Sequence, residues 1–222
     1  MDLYLFDFDD TLYDYDFRKR LPALSAATGA SQYHLAKSWW AGGYETRAEL
    51  GQWNTAQSYL EQWAQVTGVP LTLEQWRDAR AAASTPIAGS IAALARATTL
   101  GTAAVFSNNP APFAESLPLL APDVVAIVGE NRLVSCDLEA RKPERRAYRL
   151  ALERFGAVPQ NTFMADDSAR NAAAAASVGI HAHHFVCVDG VFQVDALDTA
   201  IDAFATREKR VPRGQRIRAT HT

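Results

Sequence analysis

Residues 5–12 read LFDFDDTL, so a short apolar run ends in three carboxylates within four positions, Asp7, Asp9 and Asp10. Like charges this close repel and resist burial, and folding alone gives little reason to gather them. A hard cation does. Three other stretches carry groups that would complete such a site: Ser107, Asn108 and Asn109 after TAAVFS, Arg141 and Lys142 in ARKPER, and Asp166 and Asp167 closing TFMADD. Carboxylates from two strands, with water and a substrate oxygen, suit Mg²⁺, which prefers oxygen ligands and keeps part of its water shell. The metal and Lys142 would offset Asp7 and Asp167, leaving Asp7 able to attack phosphorus and form an aspartyl-phosphate. Ser107, backbone amides and Lys142 would hold the phosphoryl oxygens, because positioning and charge stabilisation carry most of phosphoryl transfer. Asp9, two residues on and on the same side of an extended segment, is placed to protonate the leaving oxygen and then deprotonate water.

Each feature alone has a plainer explanation. Acids after a strand cap the next helix, SNN makes a turn, and KP starts a helix with Pro near its first position. Asp10 is read as a turn acid, solvated or bonded to local amides. In HAHHF, His181 and His183 share a strand face, but nothing else with ligand spacing accompanies them, so they are read as strand residues.

These groups need a scaffold that brings strand ends together. Leu3 to Phe8 has the apolar pattern of a strand buried in a sheet. From residue 88 helices alternate with strands, read at TAAVFS, VVAIVG, TFMAD and HAHHFVCV. Alternation of this length indicates right-handed βαβ units and a parallel sheet, whose ligands bind beyond the carboxyl ends of the strands. Residues 16–84 differ: they have helical periodicity, several segments stop at Gly, and all five tryptophans lie here (Trp39, Trp40, Trp53, Trp63, Trp76). The expected organisation is an α/β core from 1–15 and 85–206, a helical insertion at 16–84, and a basic, flexible tail at 207–222.

The chain has 222 residues, 48% of them hydrophobic, enough for a packed core. Only two cysteines occur, Cys136 and Cys187, too few for a disulfide framework. No apolar run approaches the roughly 20 residues that span a bilayer, and no basic leader precedes the first strand, so a cytoplasmic protein without a membrane partner is expected. The net charge of −3 is uneven: the tail holds six Lys/Arg and one Glu, so the rest carries −8. An acidic body argues against nucleic-acid binding as the main role.

With these motifs in place, the sequence resembles the haloacid dehalogenase (HAD) superfamily, in particular its subfamily IA phosphatases with a helical cap inserted after the first strand. The family's Asp-x-Asp-x-Thr motif is matched by DFDDT, Asp7 to Thr11; its strand-end Ser or Thr by Ser107 in VFSNN; its Lys by Lys142 in ARKPERRAY; its acid pair by Asp166 and Asp167 in FMADDSARN. The resemblance implies a Rossmann-like, doubly wound parallel sheet with a capping insertion. It makes Asp7 the nucleophile and Asp9 the acid/base, with Mg²⁺ held by the Asp7 carboxylate, the Asp9 main-chain carbonyl and Asp167. Asp166 and Asn171 would support that set from behind, and Ser107, Asn108, Thr11 and Lys142 would bind phosphate. Residues 137–180 are similar to sugar-phosphate phosphatases, including glucose-1-phosphate phosphatases, and to the phosphatase domain fused to soluble epoxide hydrolase. The implied activity is hydrolysis of a small phosphorylated metabolite. A phosphomutase would use the same intermediate, and a non-catalytic binding protein would not need every position filled. Dehalogenation is disfavoured because a carbon–halogen bond needs no proton from Asp9. Trp39, Trp40, Tyr44, Arg18 and Arg20 are candidates for lining the substrate side of the insertion, entered through a hinge at Asp14 to Phe17.

Overall fold

The computed structural model describes residues 1–207; the tail assigned to 207–222 lies outside them except for Arg207, which pairs with Asp2 at 2.9 Å. The chain opens with β1 (Leu3–Phe6), buried at all four positions. Alternate side chains enter different cores. Tyr4 and Phe6 pack with Val105, Phe163 and Phe204 on one face of the sheet, and Leu3 and Leu5 with Phe106, Tyr148 and Met164 on the other. Full burial of one such side chain stabilises by about 1.5–3 kcal/mol, which anchors the strand that carries Asp7.

Next come β2 (Tyr13–Tyr15), a run of helices, and β3 (Ser84–Pro86), which pairs antiparallel with β2 and sets Tyr15 beside Ser84. The insertion holds α1 (Phe17–Thr28), α2 (Gln32–Leu35) running into a π-helical turn at Ala36–Trp40, α3 (Tyr44–Glu49), α4 (Ala56–Thr67) and α5 (Leu73–Ala82). Their ends follow local chemistry. The Asp16 carboxylate accepts the Arg18 N–H, Thr55 and Thr72 form capping boxes, and Gly68 ends α4 in the left-handed conformation. Trp39, Tyr59, Trp63 and Trp76 have no exposed surface. Among them the Glu45 carboxylate accepts the Trp39 Nε1–H and the Tyr59 hydroxyl, which offsets its desolvation.

The remainder mixes helices and strands: α6 (Ala88–Leu100), β4 (Thr102–Ser107), α7 (Ala111–Leu120), α8 (Pro122–Val128), β5 (Arg132–Val134), α9 (Ser135–Leu138), α10 (Arg145–Arg154), β6 (Thr162–Asp166), α11 (Ala169–Ser177), β7 (His181–His184), β8 (Cys187–Val188), β9 (Val191–Phe192) and α12 (Val194–Thr206). Five strands make a parallel sheet in the order β5-β4-β1-β6-β7. Leu3 pairs with Thr102 on one side and Thr162 on the other, so the order reverses at β1 and the ends of β1, β4 and β6 face one crevice. Among the described residues no single helix is long and apolar enough to cross a membrane.

Two strand assignments need correction. VVAIVG is α8: its buried residues, Val124 and Val128, lie four apart on one helix face, with Pro122 at the first position and Gly129 at φ 56° beyond the end. A five-residue apolar run fits a strand or a buried helix equally, and the edge strand is RLV instead. HAHHFVCV is also not one strand. It leaves the sheet after His184, and β8 and β9 form a separate hairpin turned by Asp189 and Gly190, both at positive φ.

Candidate active site

The N–H of Asp7 continues the β1–β6 ladder one residue further, bonding Ala165 O at 2.9 Å. The chain then winds tightly around the Phe8 carbonyl, which accepts Leu12 N–H and Tyr13 N–H at 2.9 and 3.0 Å. Asp10 takes a left-handed conformation, φ 54°, which a short acid tolerates, and its Oδ1 accepts Tyr15 N–H at 2.9 Å. It is the turn acid anticipated from the sequence. Thr11 is fully buried in this turn, and its hydroxyl takes none of the described hydrogen bonds.

Lys142 reaches the end of β1 from the loop before α10, its side chain completely buried. Its Nζ donates to Asp166 Oδ2 at 2.7 Å and the Phe106 carbonyl at 2.8 Å, and forms an ion pair with Asp7 Oδ1 at 2.9 Å. Asn108 fixes the root of this lysine: its Oδ1 accepts Lys142 N–H at 2.9 Å and its Nδ2 donates to Lys142 O at 2.8 Å. The Asn108 side chain is therefore engaged by the Lys142 main chain. Asp166 Oδ1 accepts Ser168 N–H and Asn171 Nδ2, each at 3.0 Å. Ser107, at the end of β4, accepts Asn109 Nδ2 at 2.9 Å.

Asp7, Asp166 and Asp167 place one carboxylate oxygen each within 4.8 Å of one another. Burial pushes the Asp7 carboxyl well above its ordinary range; Lys142 opposes this, while Asp166 and Asp167 add to it. Asp167 is pushed up to about 6 by burial and the neighbouring acids. For Lys142, burial works against the ammonium, but Asp7 and Asp166 overrule it and hold its pKa above the ordinary value. One lysine among three crowded acids leaves room for a further positive charge, and an all-oxygen donor set fits a hard divalent cation. Asp166 already accepts from Lys142, Ser168 and Asn171, so Asp7 and Asp167 are the less engaged carboxylates of the three.

Asp9 lines a cavity of about 350 Å³ together with residues of the insertion and of the loop after β4. Arg80 Nη2 forms an ion pair with Asp9 Oδ1, and Asn109 Nδ2 donates to Oδ2 at 3.1 Å. Tyr15, Arg20, Trp40, Glu45 and Glu49 also line this cavity. Glu49 pairs with Arg141 at 2.8 Å, yet burial raises its carboxyl to about 7 against that cation. A larger cavity, about 480 Å³, lies around Leu60 and Leu71 and includes none of the strand-end residues.

The structure thus gathers Asp7, Asp9, Ser107, Asn108, Lys142, Asp166, Asp167 and Asn171 at the ends of β1, β4 and β6. Among the candidates for the insertion, Trp40 and Arg20 reach the cavity. Trp39 is core, Tyr44 stacks on Trp39 and Trp53, and the Arg18 side chain is 91% exposed beside Asp16. His184 bonds the Asp167 carbonyl through Nε2 at 2.8 Å and His183 stacks on Phe163, so the histidines are used separately. Arg80 and Glu49 were not singled out in the sequence, and Asn109 was named there at the strand end without a role of its own. A signal existed for Arg80: it falls on the buried face of α5 with Trp76 and Ala79, a costly position for an unpaired charge.

The family model for haloacid dehalogenase-like hydrolases matches residues 1–179. The chain belongs to that family of hydrolases. Among solved structures it is similar to a HAD family enzyme of Bacteroides thetaiotaomicron in complex with magnesium and inorganic phosphate (TM-score 0.69, 17% identity, covering 84% of this chain and 94% of that one). A predicted HAD-like family hydrolase of Porphyromonas gingivalis matches with TM-score 0.67 and 16% identity over 82% of this chain and 90% of that one. A HAD phosphatase of Thermococcus onnurineus matches with TM-score 0.57 and 19% identity over 81% and 84%.

Proposed function

We propose that the protein is a Mg²⁺-dependent phosphomonoester hydrolase acting on a small phosphorylated metabolite. The observation that carries this reading is the position of Asp7, a buried carboxylate held by Lys142, with Asp167 beside it and Asp9 two residues away facing a cavity. Mg²⁺ would be held by the Asp7 and Asp167 carboxylates and the Asp9 main-chain carbonyl, and would neutralise charge on the phosphoryl oxygens. Phe8 N–H and Lys142 both bind Asp7 Oδ1, and Oδ2 accepts none of the described hydrogen bonds, so Oδ2 is the attacking atom.

In the first step Asp7 Oδ2 forms a bond to phosphorus as the bond to the leaving oxygen breaks, and Asp9 gives that oxygen its proton. In the second, water adds to phosphorus, Asp9 takes its proton, and the Asp7–phosphorus bond breaks to return the carboxylate and release inorganic phosphate. Lys142, Ser107 and the main-chain amides of the loop after β4 hold the phosphoryl oxygens through both steps. The helical insertion acts as a cap that contributes the cavity and excludes water, and the cavity's volume suits a small-molecule leaving group. Asp9 favours phosphoester hydrolysis over dehalogenation, which needs no leaving-group proton.

The test is hydrolysis of p-nitrophenyl phosphate with Mg²⁺, with EDTA, and by Asp7→Asn. Release of inorganic phosphate that depends on both metal and Asp7 is expected. Wild-type turnover by Asp7→Asn would refute the assignment, and conversion of sugar phosphates to isomers without phosphate release would mark a mutase.

A further inference from the structure

We propose that Arg80, carried by α5 of the insertion, is the positioning residue for the Asp9 carboxylate; the inference rests on the phosphohydrolase reading and adds a residue outside the strand-end motifs. Asp9 stands in a tight turn with its side chain 25% exposed, so nothing in its own segment fixes its aim. Two donors meet it from opposite parts of the molecule, Arg80 on Oδ1 from the insertion and Asn109 on Oδ2 from the loop after β4. Asn109 is shared with Ser107 Oγ, which sets the direction of its amide.

Arg80 is itself held firmly. It is 2% exposed, with its guanidinium carbon 4.1 Å from the Tyr15 ring centroid and 5.2 Å from that of Phe113. Tyr15 belongs to β2, where the chain enters the insertion, and Phe113 belongs to α7 of the core. The Arg80 carbonyl accepts the Ser84 hydroxyl at 2.9 Å, in the first residue of β3, where the chain returns. Arg80 is therefore fixed at the junction of the two parts. Among the described residues Asp9 is the carboxylate within ion-pair distance of it, and a buried guanidinium is costly without one.

The pairing gives Asp9 one orientation, aimed into the cavity. As the acid, Asp9 passes its proton to the leaving oxygen. The resulting carboxylate has one oxygen on Arg80 and the other on Asn109, and the same group then accepts the proton of the attacking water. Arg80 touches neither phosphorus nor the leaving oxygen in this scheme and acts through Asp9 alone.

The experiment is a double-mutant cycle of wild type, Arg80→Ala, Asp9→Asn and the double variant, with p-nitrophenyl phosphate and Mg²⁺. Arg80→Ala is expected to lower kcat by roughly 10–100-fold with KM little changed, the scale for a misplaced catalytic group. Arg80→Lys and added guanidinium should each restore part of the loss. In the Asp9→Asn background, Arg80→Ala should add nothing. An unchanged kcat in Arg80→Ala, or the same fold loss with and without the Asp9 carboxylate, would overturn the role. Wild-type turnover by Asp9→Asn would remove Asp9 as the acid/base, and this role with it, whereas the absence of metal-dependent phosphate release by the wild type would bring down the phosphohydrolase reading itself. If Arg80→Ala does not melt cooperatively, Arg80→Lys takes its place in the cycle: a kcat loss confined to the Asp9 background supports the role, and equal losses in both backgrounds reject it.

Discussion

The Lys142 ammonium lies 2.9 Å from Asp7 Oδ1 with no part of the lysine side chain exposed. Asp166 is 2.7 Å away on its other side, so one buried cation serves two buried acids. Removing it leaves both without a counter-charge. Lys142→Met is expected to destabilise the fold by about 3–5 kcal/mol, the usual cost of breaking a buried pair from one side, as well as to remove turnover. Urea unfolding measures the first effect, and a change under 1 kcal/mol would contradict the pairing.

Asp7→Asn keeps the shape of the site but exchanges a nucleophilic oxygen for an amide. Turnover should fall by at least about 10³-fold, since removal of a nucleophile leaves only binding and electrostatic stabilisation. Circular dichroism should remain that of the wild type, which separates lost chemistry from lost fold.

The carboxyls of Asp7 and Asp167 sit above their ordinary value of 3.8, Asp167 at about 6, chiefly through burial. A raised folded-state pKa gives stability that is complete below the ordinary value and is lost as pH rises through the raised one. Metal-free protein should therefore lose stability as pH climbs from about 4 through about 6. Mg²⁺ binds the deprotonated acids, so the melting-temperature gap between Mg²⁺ and EDTA samples should widen over that same interval. At 100 times Kd the metal should contribute about 2.7 kcal/mol. Glu49, raised to about 7, titrates in the same sense outside the cluster, and Glu49→Gln should remove its share equally from both samples. A gap that stays constant with pH would show that these acids do not hold the ion.

Trp39 and Trp40 are adjacent in sequence and should respond differently. Trp39 is fully buried and donates to Glu45, so Trp39→Ala should cost about 3–5 kcal/mol of stability. Trp40 lines the cavity, so Trp40→Ala should act mainly on KM for the preferred substrate. Thermal melts and steady-state kinetics on the pair would distinguish the two roles, and a Trp39→Ala protein with wild-type stability would contradict the core assignment.

The strand-end acids were legible because their chemistry opposes burial and because they directly follow short apolar runs, Leu3–Phe6 and residues 162–165, that lie in strands of the structure. Lys142 was legible as the cation that such acids require. The burial of Arg80 had a signal in the phase of α5, but its partner had none, because Asp9 lies 71 positions away and no local pattern connects them. Arg18 and Arg20 were indistinguishable as a pair of charges near the start of a helix. Only the phase of α1, which buries Arg20 on the same face as Leu24, turns one inward and leaves the other in water. The α8 error has a similar source, since VVAIV fits either a buried strand or a helix face and tertiary packing decides between them.

The β2–β3 ribbon also bears on how the sheet assembles. Leu3 and Thr102 pair across about a hundred positions of chain, yet the ribbon sets Tyr15 beside Ser84. Once the insertion and its ribbon have formed, the chain between these partners is effectively about thirty residues long. Closing the shorter loop costs roughly 1 kcal/mol less in chain entropy. The segment that divides the α/β core in sequence thereby shortens the search for its central strand pair.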